Sequence, residues 1–358
     1  MPRLLAFIRR NESRLSTLVF LTGFITDLIT FTVLDLPAVN LLFLAYLVTA
    51  ACFIFLTHAF QRFADRPSGW QRTIATLSPL GAAFTIGGLL SGFVIFYTKS
   101  AVLSVSWPFL LLLLGIFVGN EFARSYRAHL AFQTVLFFFA LYAYLIFAFP
   151  LYADRLGERI FVESTTAAAV IFFGFLFLLA CTGFRRLTQT LPYILTGTAI
   201  ILFTIPYLYL SGIIPPLPLA LKDQGVFHQV VRTQDGYQVT FEGGARWSRY
   251  VERTIHHVPG TPLYAFASVF APRAFSTNIV HRWQRYDSRH DVWVTESKLA
   301  FRLTGGRKGG YRGYSIKNDP APGLWRVSIE TVEGQVIGQM RFHVVNVAAP
   351  PKLYMQTR

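Results

Sequence analysis

The chain has 358 residues, 53% hydrophobic and only 14% charged, with a formal net charge of +15. Soluble domains carry roughly 25% charged residues, so this composition excludes a wholly water-soluble protein. The surplus of Lys and Arg points to anionic partners: nucleic acid, phospholipid headgroups or acidic envelope polymers.

Apolar segments of spanning or near-spanning length fall at about 15–34, 37–60, 77–97, 102–118, 130–149, 165–184 and 191–214. About 20 apolar residues cross a hydrocarbon core, so seven transmembrane helices are expected. The count drops to six if the short fourth segment, which carries Pro108, does not cross. Orientation follows from Lys and Arg in the short loops. Arg3, Arg9, Arg10, Arg14, Arg62, Arg66, Arg72, Arg124, Arg127, Arg185 and Arg186 fall on one side, and only Lys99, Arg155 and Arg159 on the other. The richer side is cytoplasmic and holds the amino terminus, and an odd number of spans then puts residues 222–358 outside. Nucleic acid is thereby removed from the expected partners.

Asp27 sits in the first span, in GFITDLITF, away from either end. A carboxylate there is costly unless it is paired or protonated. Two readings stand: a proton or cation relay, or a buried interhelical hydrogen bond. Gly88 and Gly92 have the small-residue spacing that lets helices approach closely. Cys52 and Cys181 both lie in apolar segments, so neither a disulfide framework nor a Cys-based metal site is expected in the soluble part.

The run 191–221 closes the membrane domain, 1–214, and leads into a proline-rich tether, 215–222, with Pro215, Pro216 and Pro218. Beyond it the period changes. Tyr237, Val239 and Phe241 alternate with polar residues, as do Trp325, Val327 and Ile329, and Met340, Phe342 and Val344. This is the pattern of half-buried strands. Seven or eight short strands with Gly- and Pro-marked turns predict an all-β, immunoglobulin-like sandwich over 223–348, followed by a tail at 349–358. Residues 323–331 and 335–345 read as its final hairpin. ARWSRYVERTIHH (245–257) breaks the pattern. It reads as an amphipathic helix on lipid headgroups, or as a helix or strand crossing packed on the sandwich.

The segment VHRWQRYD … GGYRGYSIK … PGLWRVSIETVEGQVIGQMRFHV resembles the bacterial domain of unknown function 2914 family. The resemblance is carried by His281, Trp283, Arg312, Ser315, Gly323, Trp325, Arg326, Val327, Gly334 and Phe342, over about 278–346. The basic-glycine insert GGRKGG (305–310) departs from it. The resemblance implies an envelope-associated β domain, hence a multi-pass protein of the bacterial inner membrane with this domain in the periplasm, and it brings no known activity.

His281, Trp283 and Arg285 share one side of a strand. With Arg312, Ser315 and Lys317 they form a candidate shallow site, the Trp stacking on a sugar and the Arg holding phosphate or carboxylate. The opposing reading puts Trp283 in the core. GGRKGGYRGY is an anion cradle or a solvated hairpin tip. The histidines and acids show no metal-ligand or paired-carboxylate spacing, so no catalytic residue, metal or cofactor is expected. Two function classes remain. One is a non-enzymatic envelope protein whose sandwich binds an anionic glycan, a lipid headgroup or a protein partner. The other is a membrane enzyme or transporter working through its helices, with Asp27 as its suspect residue.

Overall fold

The computed structural model describes residues 22, 24–30, 36–60, 70–122, 129–234, 236–243, 253–272, 276–306 and 310–358. The chain divides into two compact units: Met1–Lys99 with Pro108–Phe149 and Phe161–Leu208, and Ser100–Trp107 with Pro150–Ile160 and Tyr209–Arg358.

The first unit is helical. Its elements are α1 (Leu36–Phe60), α2 (Trp70–Ser100), α3 (Leu103–Phe122), α4 (Leu130–Ala153) and α5 (Glu158–Leu210). α5 leaves helical backbone at Gly183, giving two spans, Glu158–Gly183 and Leu187–Leu210. A Cβ on Gly183 would stand 3.0 Å from His58 Nε2, so a larger residue there would crowd α1. With the helical residues 24–30 there are seven helices among the described residues, six of them long and apolar enough to cross a membrane. The rest of the expected first span lies outside the described residues. α3 does have spanning length, with Pro108 inside it. Phe84, Phe177 and Phe203 are each more than 70% exposed, as lipid-facing side chains would be.

Among its described residues the second unit carries eleven strands: β1 (Ala220–Phe227), β2 (Gln229–Thr233), β3 (Gly236–Glu242), β4 (Arg253–His257), β5 (Pro262–Phe270), β6 (Ser276–Asp287), β7 (Val292–Thr304), β8 (Tyr311–Asn318), β9 (Gly323–Thr331), β10 (Val336–Asn346) and β11 (Leu353–Thr357). They form sheets ordered β1-β5-β8, β4-β10-β9-β6-β7 and β11-β3-β2. β9 and β10 pair antiparallel, as the expected final hairpin. Ala267, Val269, Ile279, Leu303 and Ile329 pack the three-stranded β1-β5-β8 sheet against the five-stranded sheet. Leu263, Ala265, Trp283, Trp325, Phe342 and Val344 continue that layer.

A third sheet adds to the two-sheet expectation. Phe227, Val230, Val239 and Phe266 form a second apolar layer on the far side of β5. Alternate residues of β5 therefore face different layers, and Ala265–Val269 are all buried. Ordered strand begins at Ala220, inside the expected tether, and residues 353–357 of the expected tail pair with β3. Of the readings open for 245–257, the strand crossing holds where the segment is described: Arg253–His257 is β4, parallel to β10. Ladder bonds to β10 and burial of Ile255 and His257 favour the extended form there. Residues 244–252 lie outside the described residues.

Candidate functional site

β6 lies between β9 and the edge strand β7 of the five-stranded sheet, and its period-2 alternation divides the candidate residues into an inner and an outer set. On the inner face, His281 and Trp283 are fully buried and Ser315 is 3% exposed. Trp283 Nε1 donates to Ser315 Oγ at 2.9 Å, and His281 Nδ1 lies 2.9 Å from the same oxygen. His281 meets Phe301 edge-on, and Trp283 meets Trp325 and Phe342 in the same way. Burial alone pushes the His281 pKa down to about 4. Its Nε2 has no hydrogen-bond partner among the described residues, so a proton there has nowhere to share its charge. The Ser–His contact has the spacing of a nucleophile and its base. It faces the core, however, and the serine already serves Trp283. This trio locks the β8–β6 interior.

Arg285 follows on the same side of β6, where the strand reaches the rim. Its Nε lies 3.2 Å from Glu296, and Lys317 Nζ lies 3.7 Å from the other carboxylate oxygen. Lys317 also caps the Trp325 ring at 5.5 Å. Two of the three cations of the sequence-predicted site, Arg285 and Lys317, thus share one carboxylate. Arg312 sits on the opposite face of β8 from Ser315 and Lys317, beside Gly236 and Tyr237. The six residues are accordingly an interior trio, a rim pair and one residue on another face.

The outer face of the same sheet carries a set that single-strand reading did not assemble. Arg341 on β10 pairs directly with Arg326 on β9, which pairs with Gln284 on β6. Like charges directly opposite repel. Trp293 on β7 supports both: Arg326 Cζ lies 4.3 Å and Arg341 Cζ 5.7 Å from its ring centre. Tyr286, opposite Trp293, packs against that ring at 5.3 Å. Arg326 Nε donates to Gln284 Oε1 at 2.9 Å, and Gln284 is buried, with Nε2 3.4 Å from Thr295 Oγ1. Arg282, two residues along, is balanced by Glu330 at 2.5 Å. Among the described residues no carboxylate pairs with Arg326 or Arg341. Burial, then Arg341 and Arg282, lower the Arg326 pKa. Burial raises that of Glu330, and Arg282 partly offsets it.

The inner trio and the outer arginines lie on one stretch of chain. Residues 276–344 match the family model described as Protein of unknown function (DUF2914). The DUF2914 segment thus covers β6 to β10, and the insert at 305–310 falls inside it. Gly305 and Gly310 bracket that insert for steric reasons. A Cβ on Gly305 would meet Pro272 O at 1.7 Å, and one on Gly310, at φ +83°, would meet Ser268 Oγ at 2.6 Å. Residues 307–309 lie outside the described residues.

No curated protein matches the sequence. Among solved structures, a β-glucosidase from Listeria innocua in complex with gluconolactone aligns at 11% identity and TM-score 0.19, over 36% of this chain and 16% of that one. The chain therefore spans about a sixth of that enzyme's length. The Pseudomonas fluorescens alkylpurine DNA glycosylase AlkC, bound to DNA containing an abasic site analog, aligns at 10% identity and TM-score 0.22, over 84% and 97%. Neither score carries an argument.

Two further polar clusters lie away from this sheet face. His228 Nε2 and His256 Nδ1 donate to the two oxygens of Glu242 at 2.9 and 2.7 Å, and the His256 backbone N–H adds a third bond at 2.7 Å. Among the described residues no His, Cys, Asp and Glu group could hold a metal ion. In the helical unit, Asp27 is half-buried, with Ser91 and Tyr46 as its polar neighbours.

Proposed function

We propose that this chain is a multi-pass protein of the bacterial inner membrane whose β domain, on the periplasmic side, binds an anionic envelope component. The binding surface is the outer face of the β4-β10-β9-β6-β7 sheet. The observation that carries this reading is the Arg326–Arg341 pair, held side by side over Trp293 with no carboxylate partner among the described residues. Folding has placed two guanidiniums against their mutual repulsion, and an anion between them relieves it.

The topology has its own support. Ser100–Trp107, Pro150–Ile160 and the stretch from Tyr209 onward belong to one unit. Each follows every second span, as positions on one side of a membrane do. The arginine-rich loops at 61–72, 121–129 and 184–186 fall on the alternate positions, which the charge rule assigns to the cytoplasm. A Ser288→Cys chain lacking Cys52 and Cys181 should react with a membrane-impermeant maleimide from the periplasmic side. Protection until the membrane is lysed would reverse the orientation.

Binding is tested with the full chain in detergent micelles against phosphatidylglycerol vesicles, phosphatidylcholine vesicles and lipopolysaccharide, each at low and moderate salt. Arg326→Gln and Arg341→Gln should each lose anionic binding at moderate salt, while Arg289→Gln, an exposed turn arginine, should keep it. Equal losses for all three would mean diffuse charge attraction and end this reading.

A further inference from the structure

Resting on that reading, we infer that the Arg326–Arg341 pair recognises a phosphate group, on a lipid headgroup or a soluble phosphate ester, in preference to a carboxylate. Arg326 spends its Nε on Gln284 and keeps its two terminal nitrogens for a ligand. Gln284 is itself held by Thr295, so Arg326 is oriented before any ligand arrives. Arg341 is exposed, directly opposite on the neighbouring strand, with its whole fork available. One carboxylate offers two oxygens, which a single guanidinium fork satisfies. Two forks over one ring offer more donors than that. A phosphate monoester presents three acceptor oxygens and close to two negative charges near neutral pH, matching two adjacent guanidiniums in number and in charge.

The surroundings reinforce the match. Lys298 pairs in register with Arg282, extending positive potential along the face, and the ion pair of Glu330 is made with Arg282. Trp293 fills the space beneath both guanidiniums, so a ligand meets them from the solvent side. Glu330 is engaged by Arg282, which stands between it and the Arg326–Arg341 level in the strand register, and Asp291 is engaged by Tyr286.

The test is calorimetric titration of the full chain in a neutral detergent, with inorganic phosphate, glycerol 3-phosphate and acetate at matched ionic strength. Phosphate and glycerol 3-phosphate should bind, with acetate weaker by about tenfold or more, the scale of one lost charge-assisted hydrogen bond. Arg341→Lys keeps the charge but loses the fork, and should weaken phosphate by a similar factor while Lys298→Gln changes it far less. Phosphatidic acid, whose headgroup is a phosphate monoester, added to the micelles separates the sources. Displacement of glycerol 3-phosphate identifies a headgroup site, and undisturbed binding identifies a soluble ester, either of which supports the inference. Acetate binding as tightly as phosphate would overturn the phosphate preference and leave anion binding standing. Absence of binding by all three overturns both.

Discussion

Ser315 supplies one hydroxyl to two rings, and the burial of one of them, His281, gives the β domain an acid response. His281 titrates near 6.5 when unfolded and at about 4 in the fold. Its folded value is depressed, so the contribution is fully present above the unfolded value and is lost as pH falls toward 4. The loss is roughly 3 kcal/mol, from about 1.4 kcal/mol per pH step. Urea unfolding followed by tryptophan fluorescence should show this decline between pH 6.5 and 4 in the native chain, and a shallower one in His281→Leu. Ser315→Ala strands the Trp283 N–H in the core and should cost about 1–3 kcal/mol at neutral pH. At Asp27 the helical unit offers Ser91 and Tyr46 as neighbours, a pairing that Asn can keep. Asp27→Asn should therefore leave both protein level and cellular phenotype unchanged. Loss of phenotype at normal level would instead favour a membrane enzyme or transporter.

At the scale of elements, alternation in β3, β9 and β10 was readable because each strand buries one face against a neighbouring layer. Trp325, Val327 and Ile329 advertised that face without help from neighbours. The outer arginines were visible as alternating polar residues, yet their meeting was not. Arg326 faces Arg341 only because β10 slips register between Val336 and Gly338, and a local irregularity of that kind leaves no periodic trace. The 245–257 segment left helix and strand both open for a related reason: a stretch of mixed aromatic and basic residues fits a helical face, and only pairing with β10, far along the chain, decides the strand for 253–257. Strand ends also carry predictions. Burial pushes the Glu242 carboxyl up, but hydrogen bonds from His256 and His228 outweigh it and hold the pKa below 4.5. A depressed value means the stabilisation is present above pH 4.5 and fades as pH falls through the folded pKa. Glu242→Gln should flatten the stability profile below that pH and lower stability above it. Gly305→Ala drives a methyl into Pro272 O and should reduce the yield of folded protein, whereas a substitution at exposed Ser288 should not.

For the whole molecule, the division into a membrane half and a β half followed from hydropathy alone, since six helices of spanning length leave little ambiguity. What hydropathy could not convey was the third sheet, because its strands are joined by sequence-distant pairings. β3 lies between β2, its neighbour in sequence, and β11, more than a hundred residues later. Until Leu353–Thr357 has been synthesised, one edge of β3 carries unsatisfied N–H and C=O groups. Such an edge is a template for another chain. A chain stopped at residue 348 should therefore associate through β3, seen as a shift to larger species in light scattering of the detergent-solubilised protein. The peptide covering 349–358, added in trans, should reverse that shift. In the living cell the consequence is one of timing: the domain stays adhesive for as long as its closing strand is still on the ribosome, and five residues end that exposure.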